Sequence, residues 1–233
     1  MKNTIFEGST TSLVLWFKVI YMFYTSRNGV SAKQIERVCG VTYKTAWRMG
    51  QKVRSLMSLE SEEMLSGIIE MDESYFGGKK PLNKNGKKGI GDKQIVFGML
   101  ERGGRAKVFY LKNRDKKTLL PVVASCIKKG STIYSDGYGV YQHLSAMGYT
   151  HEVVKHKRSK RFIAGVWTNG IESLWSYIKS PLLGTYRSVS NKYLQSYLDE
   201  FVFRYNFNKQ GDWLEVILYR ATCLPTSWNQ RSL

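Results

Sequence analysis

Three acidic side chains lie inside one apolar stretch of the chain, residues 67–78 (GIIEMDESYFGG). The β-branched and aromatic residues of this stretch predict a buried strand. Because strand side chains alternate between the two faces of a sheet, Glu70 and Asp72 are expected on one face and Glu73 on the other. Carboxylates in an apolar strand are costly to desolvate unless they are paired or bind a cation. The stretch therefore predicts either a strand end at which the acids reach water or a metal-binding carboxylate displayed on a sheet.

Two further acids lie at the ends of predicted elements. Asp136 follows a short predicted strand, residues 131–135, and precedes a glycine, a pair that by itself is more typical of a turn. Glu172 lies one turn into a helix predicted over residues 168–179, where the helix dipole alone would favour an acid. In a mixed sheet of the predicted order, the first and fourth strands are expected to be neighbours, and the late helix would cross their ends. Under that arrangement Asp72, Asp136 and Glu172 converge.

Three converging carboxylates point to chemistry on phosphate esters. They repel one another and need divalent cations to lie close together. Mg²⁺ takes oxygen ligands and keeps open positions for a phosphate. Two such ions about 4 Å apart can hold the attacking and leaving oxygens of an in-line phosphodiester displacement. We therefore predict that Asp72, Asp136 and Glu172 are catalytic and bind two Mg²⁺ or Mn²⁺ ions.

The elements that position these acids follow the order of one type of mixed sheet. Residues 94–100 and 107–111 alternate around Arg102-Gly103-Gly104-Arg105, which is typical of a hairpin and makes the first three strands consecutive and antiparallel. The remaining predicted elements are, in order, a helix at 116–129, a strand at 131–135, a short helix at 140–147, a strand at 151–154, and long helices at 168–179 and 192–207. This order predicts an α/β, RNase-H-like fold, a mixed sheet with helices on its faces.

The first 58 residues predict a small all-α domain ahead of that sheet. A short helix at 31–40 ends in a glycine and is followed by a basic helix at 43–57, which is typical of a helix-turn-helix. Its second helix would place Tyr43, Lys44, Thr45 and Arg48 in a DNA major groove. A plain helical packing module is the alternative interpretation. The predicted domains are thus residues 1–58 for DNA binding and residues 67–233 for the RNase-H-like catalytic domain.

Positive charge is in large surplus along the chain. The 36 lysines and arginines against 18 acids give a net charge of +18, which indicates a polyanionic partner, most often nucleic acid. Two basic segments, residues 79–93 and 155–161, are expected to neutralise phosphates of double-stranded DNA. The predicted contacts in the second segment are Lys157, Arg158, Lys160 and Arg161. Within the basic helix, Lys44, Arg48, Lys52 and Arg54 are expected to face solvent or phosphate. A solvated cationic face is the alternative for these segments.

Neither the apolar nor the cysteine pattern indicates a membrane or disulfide-rich protein. The long apolar run at residues 13–24 is interrupted by Lys18 and is too short to span a bilayer, although an anionic membrane surface would also attract the positive charge. Cys39, Cys126 and Cys223 are far apart and lack C-x-x-C spacing, so we expect neither a zinc ribbon nor a disulfide framework. This pattern fits a reducing compartment, and we expect a cytoplasmic location in association with the nucleoid.

Four stretches carry a family resemblance. They are residues 71–78 (MDESYFGG), 134–141 (YSDGYGVY), 168–179 (TNGIESLWSYIK) and 184–206, which ends in LDEFVFRYN. With them the chain resembles the DDE transposases of bacterial insertion sequences, in particular the compact ISXO2-like type with a helix-turn-helix ahead of an RNase-H-like catalytic domain. The resemblance extends from about Ser12 to Asn208. The 35 residues between Asp136 and Glu172, and the position of Lys179 seven residues after Glu172, match the signature of that superfamily.

The resemblance implies roles for individual residues. Asp72, Asp136 and Glu172 would be the metal-binding triad, and Lys179 would contact transposon-end DNA. Some members of the group carry an asparagine at the third position, and Asn169 lies one turn before Glu172. We predict Glu172 as the ligand, because two divalent cations need its charge, and Asn169 as an auxiliary residue.

The predicted activity is cleavage of a transposon end by water, followed by attack of the exposed 3′-hydroxyl on target DNA. Joining two ends requires a homodimer or larger assembly on DNA, with the aromatic region at 186–207 as a candidate interface. The alternative is that these rings pack the last helix within its own chain. A non-catalytic DNA-binding regulator and a metal-dependent nuclease of the same fold are the alternative functions.

Overall fold

Within residues 4–58, 63–77, 93–154, 167–207 and 212–223, which the computed structural model describes, the chain forms one five-stranded sheet and seven α-helices. The strands are β1 (Ile68–Phe76), β2 (Gln94–Glu101), β3 (Ala106–Leu111), β4 (Thr132–Ser135) and β5 (Thr150–Val153). The helices are α1 (Leu13–Thr25), α2 (Ala32–Cys39), α3 (Tyr43–Met57), α4 (Lys116–Cys126), α5 (Asn169–Gly184), α6 (Asn191–Phe207) and α7 (Leu214–Cys223). None of these helices has the length and hydropathy needed to cross a bilayer.

The sheet has the strand order β3-β2-β1-β4-β5. The first three strands are antiparallel neighbours, as the hairpin pattern predicted. In contrast, β4 pairs in parallel with β1, and β5 pairs in parallel with β4. This order and these orientations confirm the predicted RNase-H-like mixed sheet. They also make β1 and β4 neighbours, as predicted, with the end of β4 beside the middle of β1.

Helices cover both faces of the sheet. On one face, Ile69 and Met71 of β1 pack with Phe97 of β2 and with Leu119 and Val123 of α4 in a buried apolar cluster. On the opposite face α5 crosses the sheet, and the Trp175 ring lies directly over Gly98 of β2. Glu70 and Asp72, at even positions of β1, therefore lie on the face covered by α5, and Glu73, at an odd position, lies on the face covered by α4.

The outer strand β3 is bound by a side chain of α6. The Oε1 atom of Gln195 accepts a hydrogen bond from the backbone N–H of Tyr110 at 2.7 Å, and its Nε2 donates to the carbonyl of Val108 at 3.0 Å. One glutamine thus satisfies a donor and an acceptor on the side of β3 that faces away from β2.

The remaining helices form a second buried cluster. Trp16 and Phe23 of α1, Met49 of α3, Phe203 of α6 and Ile217 of α7 belong to it. The two compact units of the chain are residues 1–59, 180–187 and 196–233 in the first, and residues 60–179 and 188–195 in the second. The helical unit therefore contains more of the chain than the predicted residues 1–58, because α7 and most of α6 pack into its core.

The aromatic region at 186–207 packs largely inside this helical unit. Phe201 and Phe203 are fully buried, and the rings of Tyr186 and Tyr197 pack edge to face with their centres 4.7 Å apart. The alternative to the dimer interface, packing within the same chain, accounts for these four rings.

The region predicted as a helix-turn-helix forms α2 and α3 at the predicted positions. Ser31 accepts a hydrogen bond from the amide of Gln34 at the start of α2, and Gly40 ends that helix in the left-handed conformation (φ 64°). Two cations of α3 differ from expectation, since Lys52 and Arg54 are buried rather than facing solvent or phosphate. The Nζ atom of Lys52 donates to the carbonyl of Ile5 at 2.7 Å, and burial lowers its pKa.

Arg54 belongs to a buried charged network centred on Glu200. Its Nε donates to Glu200 at 2.9 Å, Nη2 of Arg204 donates to the same carboxylate at 2.9 Å, and the Tyr186 hydroxyl donates at 2.9 Å. Glu200 is completely buried. One carboxylate thus compensates two buried guanidinium groups and joins α3 to α6.

Replacing Glu200 by alanine is expected to destabilise the protein by about 3 kcal/mol or more, because two buried cations lose their counter-charge. Urea-induced unfolding followed by circular dichroism measures this change. The control is Glu36→Ala, which removes a solvent-exposed pair with Lys33 and should change the free energy of unfolding by less than about 1 kcal/mol. Equal losses in the two variants would contradict the role of the network.

Candidate active site

Strand β1 directs its acids to opposite faces of the sheet, as alternation predicted. Asp72 lies half-buried on the face covered by α5. Glu73 lies on the other face, where its Oε1 accepts a hydrogen bond from the Tyr141 hydroxyl at 2.5 Å. Burial raises the pKa of Glu73, and the bond from Tyr141 acts in the opposite direction. Of these two neighbours, only Asp72 faces the helix that carries Glu172.

A tryptophan on α5 holds the Asp72 carboxylate. The indole Nε1 of Trp175 donates to Oδ2 of Asp72 at 2.8 Å. Gly98 lies opposite Asp72 in the register of β1 and β2, and a Cβ atom at Gly98 would lie 2.6 Å from the Trp175 ring. Since real Cβ atoms do not approach that closely, a glycine at 98 is what allows the indole to reach the carboxylate.

Asp136 is the residue directly after β4, the strand that pairs in parallel with β1. The parallel register pairs Glu70 with Tyr134, so two residues further along Asp136, just past the end of β4, comes level with Asp72 in the middle of β1. The Oδ1 atom of Asp136 accepts from the backbone N–H of Tyr138 at 3.0 Å. This local turn fixes the carboxylate at the strand end, so the aspartate–glycine pair forms a turn and also lies beside Asp72.

The start of α5 carries the two candidates for the third position. Asn169 is the first residue of the helix and Glu172 lies in its first turn, and both side chains are exposed. The Glu172 amide donates to the carbonyl of Thr168 at 3.2 Å, and the Asn169 carbonyl accepts from the Ser173 hydroxyl at 2.9 Å. Because they are three residues apart, Asn169 and Glu172 lie on one side of the helix.

Electrostatics connects the three acids. Burial raises the pKa of Asp72, the hydrogen bond from Trp175 lowers it, and the charges of Asp136 and Glu172 raise it further. Both carboxylates are therefore near enough to act on Asp72. Within the described ranges, however, no group of three or more His, Cys, Asp or Glu side chains is arranged to hold a metal ion. Asp136 and Glu172 therefore lie near Asp72, but the three side chains as placed do not form a metal-coordination site.

Lys179 lies two turns beyond Glu172 on α5 and approaches the same face of the sheet. Its Nζ is 5.3 Å from the centre of the Phe76 ring. Burial lowers the pKa of Lys179, and the charge of Asp72 opposes this shift. The lysine is thus near Asp72, and its contact with transposon-end DNA stays a prediction.

The other predicted DNA contacts fall into two groups. Lys44 and Arg48 are exposed on α3, and Thr45 is partly exposed with its hydroxyl 3.0 Å from that of Thr42. The four cations of the second basic segment, Lys157, Arg158, Lys160 and Arg161, lie outside the described residues.

Sequence reasoning missed Trp175 and Tyr141, which donate to Asp72 and Glu73. The signal for Trp175 was a glycine in the middle of a predicted strand, since Gly98 marks a close approach by another group. Nothing in the sequence pointed to the bond from Tyr141.

Residues 64–206 match the ISXO2-like transposase domain. The match covers more than half of the chain, which therefore belongs to the ISXO2-like transposase family, as its motifs indicated. The protein is thus a transposase by family.

Two relatives and one solved structure illustrate its similarities. An uncharacterized protein in transposable element ISH50 of Halobacterium salinarum is 29% identical over 237 residues, covering 94% of this chain and 79% of the relative. An uncharacterized transposase-like protein of Haemophilus influenzae is 27% identical over 95 residues, covering 40% of this chain and 75% of the relative. The Mos1 strand transfer complex matches at 12% identity and a TM-score of 0.33, covering 93% of this chain and 81% of that chain.

Moving or removing the Trp175 donor is expected to slow DNA cleavage by about ten- to a hundredfold, the rate equivalent of one hydrogen bond to a charged group. Trp175→Phe keeps the ring but removes its N–H, and Gly98→Ala displaces the ring. Single-turnover cleavage of end DNA measures both variants. The control is Gly184→Ala on the same helix, where a Cβ meets no atom within 4 Å. Full activity in both test variants would show that Asp72 does not need the indole.

Proposed function

We propose that this transposase cleaves DNA at the ends of its element and joins the freed ends to target DNA, with Asp72, Asp136 and Glu172 as the catalytic carboxylates. The observation that carries this proposal is geometric: the parallel register of β1 and β4 brings Asp136 level with Asp72, and α5, the helix that carries Glu172, is hydrogen-bonded to Asp72 through Trp175. Three acids contributed by two adjacent strands and one crossing helix are separate in sequence, so their approach is a product of the fold.

The donor set fits a hard divalent cation. All three side chains offer carboxylate oxygens, the ligands that Mg²⁺ and Mn²⁺ prefer, and their mutual repulsion favours a bound cation. Two such ions, when bound, would activate the attacking oxygen and neutralise charge on the phosphate. Asp72 and Asp136 are held for this task by Trp175 and by the Tyr138 amide.

The chemistry consists of two phosphoryl transfers. A water oxygen attacks phosphorus at the element end, and the bond to the 3′-oxygen breaks to leave a 3′-hydroxyl. That hydroxyl then attacks a phosphodiester of the target, forming the new junction and releasing a target 3′-hydroxyl. Positioning and charge neutralisation supply most of the catalysis in such reactions, so no covalent protein–DNA intermediate is needed.

Double-stranded DNA is the proposed partner at two places. The exposed α3 residues Lys44, Thr45 and Arg48 contact the element end, and Lys179 contacts DNA beside the carboxylates. The net charge of +18 supports this assignment, as do the basic segments at residues 79–93 and 155–161 of the sequence, of which only Lys93 lies within the described residues. Because two ends must be joined together, two or more copies act on one DNA.

Neutral replacements of the acids test the catalytic assignment. Asp72→Asn, Asp136→Asn and Glu172→Gln should each abolish metal-dependent cleavage and strand transfer, while DNA binding remains largely intact. Asn169→Ala should leave measurable activity, because a neutral amide contributes no charge to two cations. Gel assays of cleavage and joining, with binding measured in parallel, follow both properties.

The opposite pattern for the third position would reassign it. If Glu172→Gln still cuts and Asn169→Ala does not, Asn169 is the ligand. Cleavage without joining in the wild-type protein would identify a nuclease. DNA binding without cleavage would identify a regulator.

Salt dependence tests the DNA contacts of α3. The logarithm of the binding constant should fall steeply with the logarithm of salt concentration, by about 0.9 per neutralised phosphate. Lys44→Ala combined with Arg48→Ala should reduce that slope by about 1 to 2. The matched control replaces the exposed Lys116 and Lys117 at the start of α4, which removes the same charge. An equal reduction in the control would show that the effect is net charge rather than contact by α3.

A further inference from the structure

One buried acid of β1 has no place in the proposed triad. Glu70 lies two residues before Asp72 on the same face of the strand and is only 2% exposed. Its Oε1 accepts a hydrogen bond from Nε of Arg102 at 3.0 Å, and its Oε2 accepts from the backbone N–H of Ile171 at 3.0 Å. Both oxygens are thus engaged, one by the β2–β3 turn and one by the first turn of α5.

Arg102 is itself held from several sides. Its Nη2 donates to the carbonyl of Trp167 at 2.7 Å, just before α5 begins. The guanidinium carbon lies 4.6 Å from the ring centres of both Tyr134 and Trp167. Its backbone N–H also donates to the Ile68 carbonyl of β1 at 2.9 Å. The guanidinium therefore links β1 to the residue that leads into α5 in one fixed geometry.

The helix start approaches Glu70 as closely as the backbone permits. A Cβ atom at Gly170 would lie 2.9 Å from Oε2 of Glu70. The glycine therefore allows the amide of Ile171 to reach the carboxylate. A carboxylate at a helix N-terminus accepts an otherwise unpaired N–H and interacts favourably with the helix dipole.

We propose that Glu70 and Arg102 are a positioning pair that fixes the first turn of α5 on β1 and thereby sets the separation between Glu172 and Asp72. This inference rests on the proposed function, since it concerns the geometry of the proposed carboxylates.

Two attachment points explain why the pair is needed. The bond from Trp175 to Asp72 fixes α5 one turn beyond Glu172, and a helix held at a single point can still pivot about it. Glu70 binds the amide of Ile171, the residue immediately before Glu172. Because Glu70 and Asp72 are two residues apart on one strand, both attachment points share a rigid base. The position of the exposed Glu172 is then determined by β1 at both ends of the turn.

A pair that merely stabilises the fold would behave differently from a positioning pair. Loss of stability would affect all properties together, whereas loss of position should weaken cation binding through Glu172 alone. The distinguishing measurement is therefore non-additivity between Glu70 and Glu172 in the affinity for a cation.

The test uses calorimetric titration of the full-length protein with Mn²⁺ as the probe. Glu70→Gln should weaken Mn²⁺ binding about tenfold, the size expected when support for a ligand is lost. In a Glu172→Gln background the same change should cost less than about twofold, since the ligand it positions is already gone. Thermal unfolding of each variant, and its affinity for DNA, are measured alongside.

A second test variant and a matched control complete the experiment. Arg102→Lys retains the positive charge but loses the planar fork, and should weaken Mn²⁺ binding in the same direction even if Glu70→Gln does not fold. Arg105→Gln is the matched control, because Arg105 lies in the same turn and pairs with the exposed Glu63 instead. Its Mn²⁺ affinity should equal that of the wild type.

The outcomes separate the two proposals. A wild-type protein that does not bind Mn²⁺ overturns the proposed metal site, and the positioning role falls with it. Normal Mn²⁺ affinity in folded Glu70→Gln and Arg102→Lys, with a wild type that binds, overturns the positioning role alone. Equal losses with and without Glu172 identify a purely structural pair.

Discussion

Each buried or half-buried carboxylate of β1 needs a hydrogen-bond donor, and the packing around this strand depends on that constraint. Glu70 receives Arg102 and an amide of α5, Asp72 receives the Trp175 indole, and Glu73 receives the Tyr141 hydroxyl. Among the described residues, no buried side-chain nitrogen or oxygen is left without a partner. Satisfying the acids therefore also fixes what covers them, since two of these donors belong to the helix that carries Glu172.

In the helical unit, buried cations rather than buried acids need partners. Arg54 and Arg204 are buried there, and Glu200 lies between them with a tyrosine hydroxyl as an additional donor. Desolvation offsets much of the attraction within buried pairs of this kind, although removing one partner and leaving the other charge buried is costly. In this chain the pair of Arg54 with Glu200 joins α3, whose exposed side is the proposed DNA reader, to α6. Each unit thus contains an ion pair with a buried glutamate that bonds to a helix, and that helix carries exposed side chains with a proposed role.

Local patterns predicted the elements well, and distant partners explain what they missed. Alternation placed Glu70 and Asp72 opposite Glu73, and the Arg-Gly-Gly-Arg turn gave the hairpin, because both depend only on neighbouring residues. Lys52 and Arg54 looked like solvent-facing cations, yet Glu200, the partner of Arg54, is 146 residues away. Trp175 reaches Asp72 across 103 residues. Helical periodicity identifies an amphipathic segment, but it does not show which of its charged side chains are buried. That depends on which helices pack against one another.

The glutamine on the outer strand has a consequence for solubility. An open strand edge can pair with a strand of another molecule, which makes it a starting point for aggregation. Gln195 occupies the amide of Tyr110 and the carbonyl of Val108, so an incoming strand would have to displace it to pair with β3. Gln195 therefore protects this part of the β3 edge from pairing with a strand of another molecule.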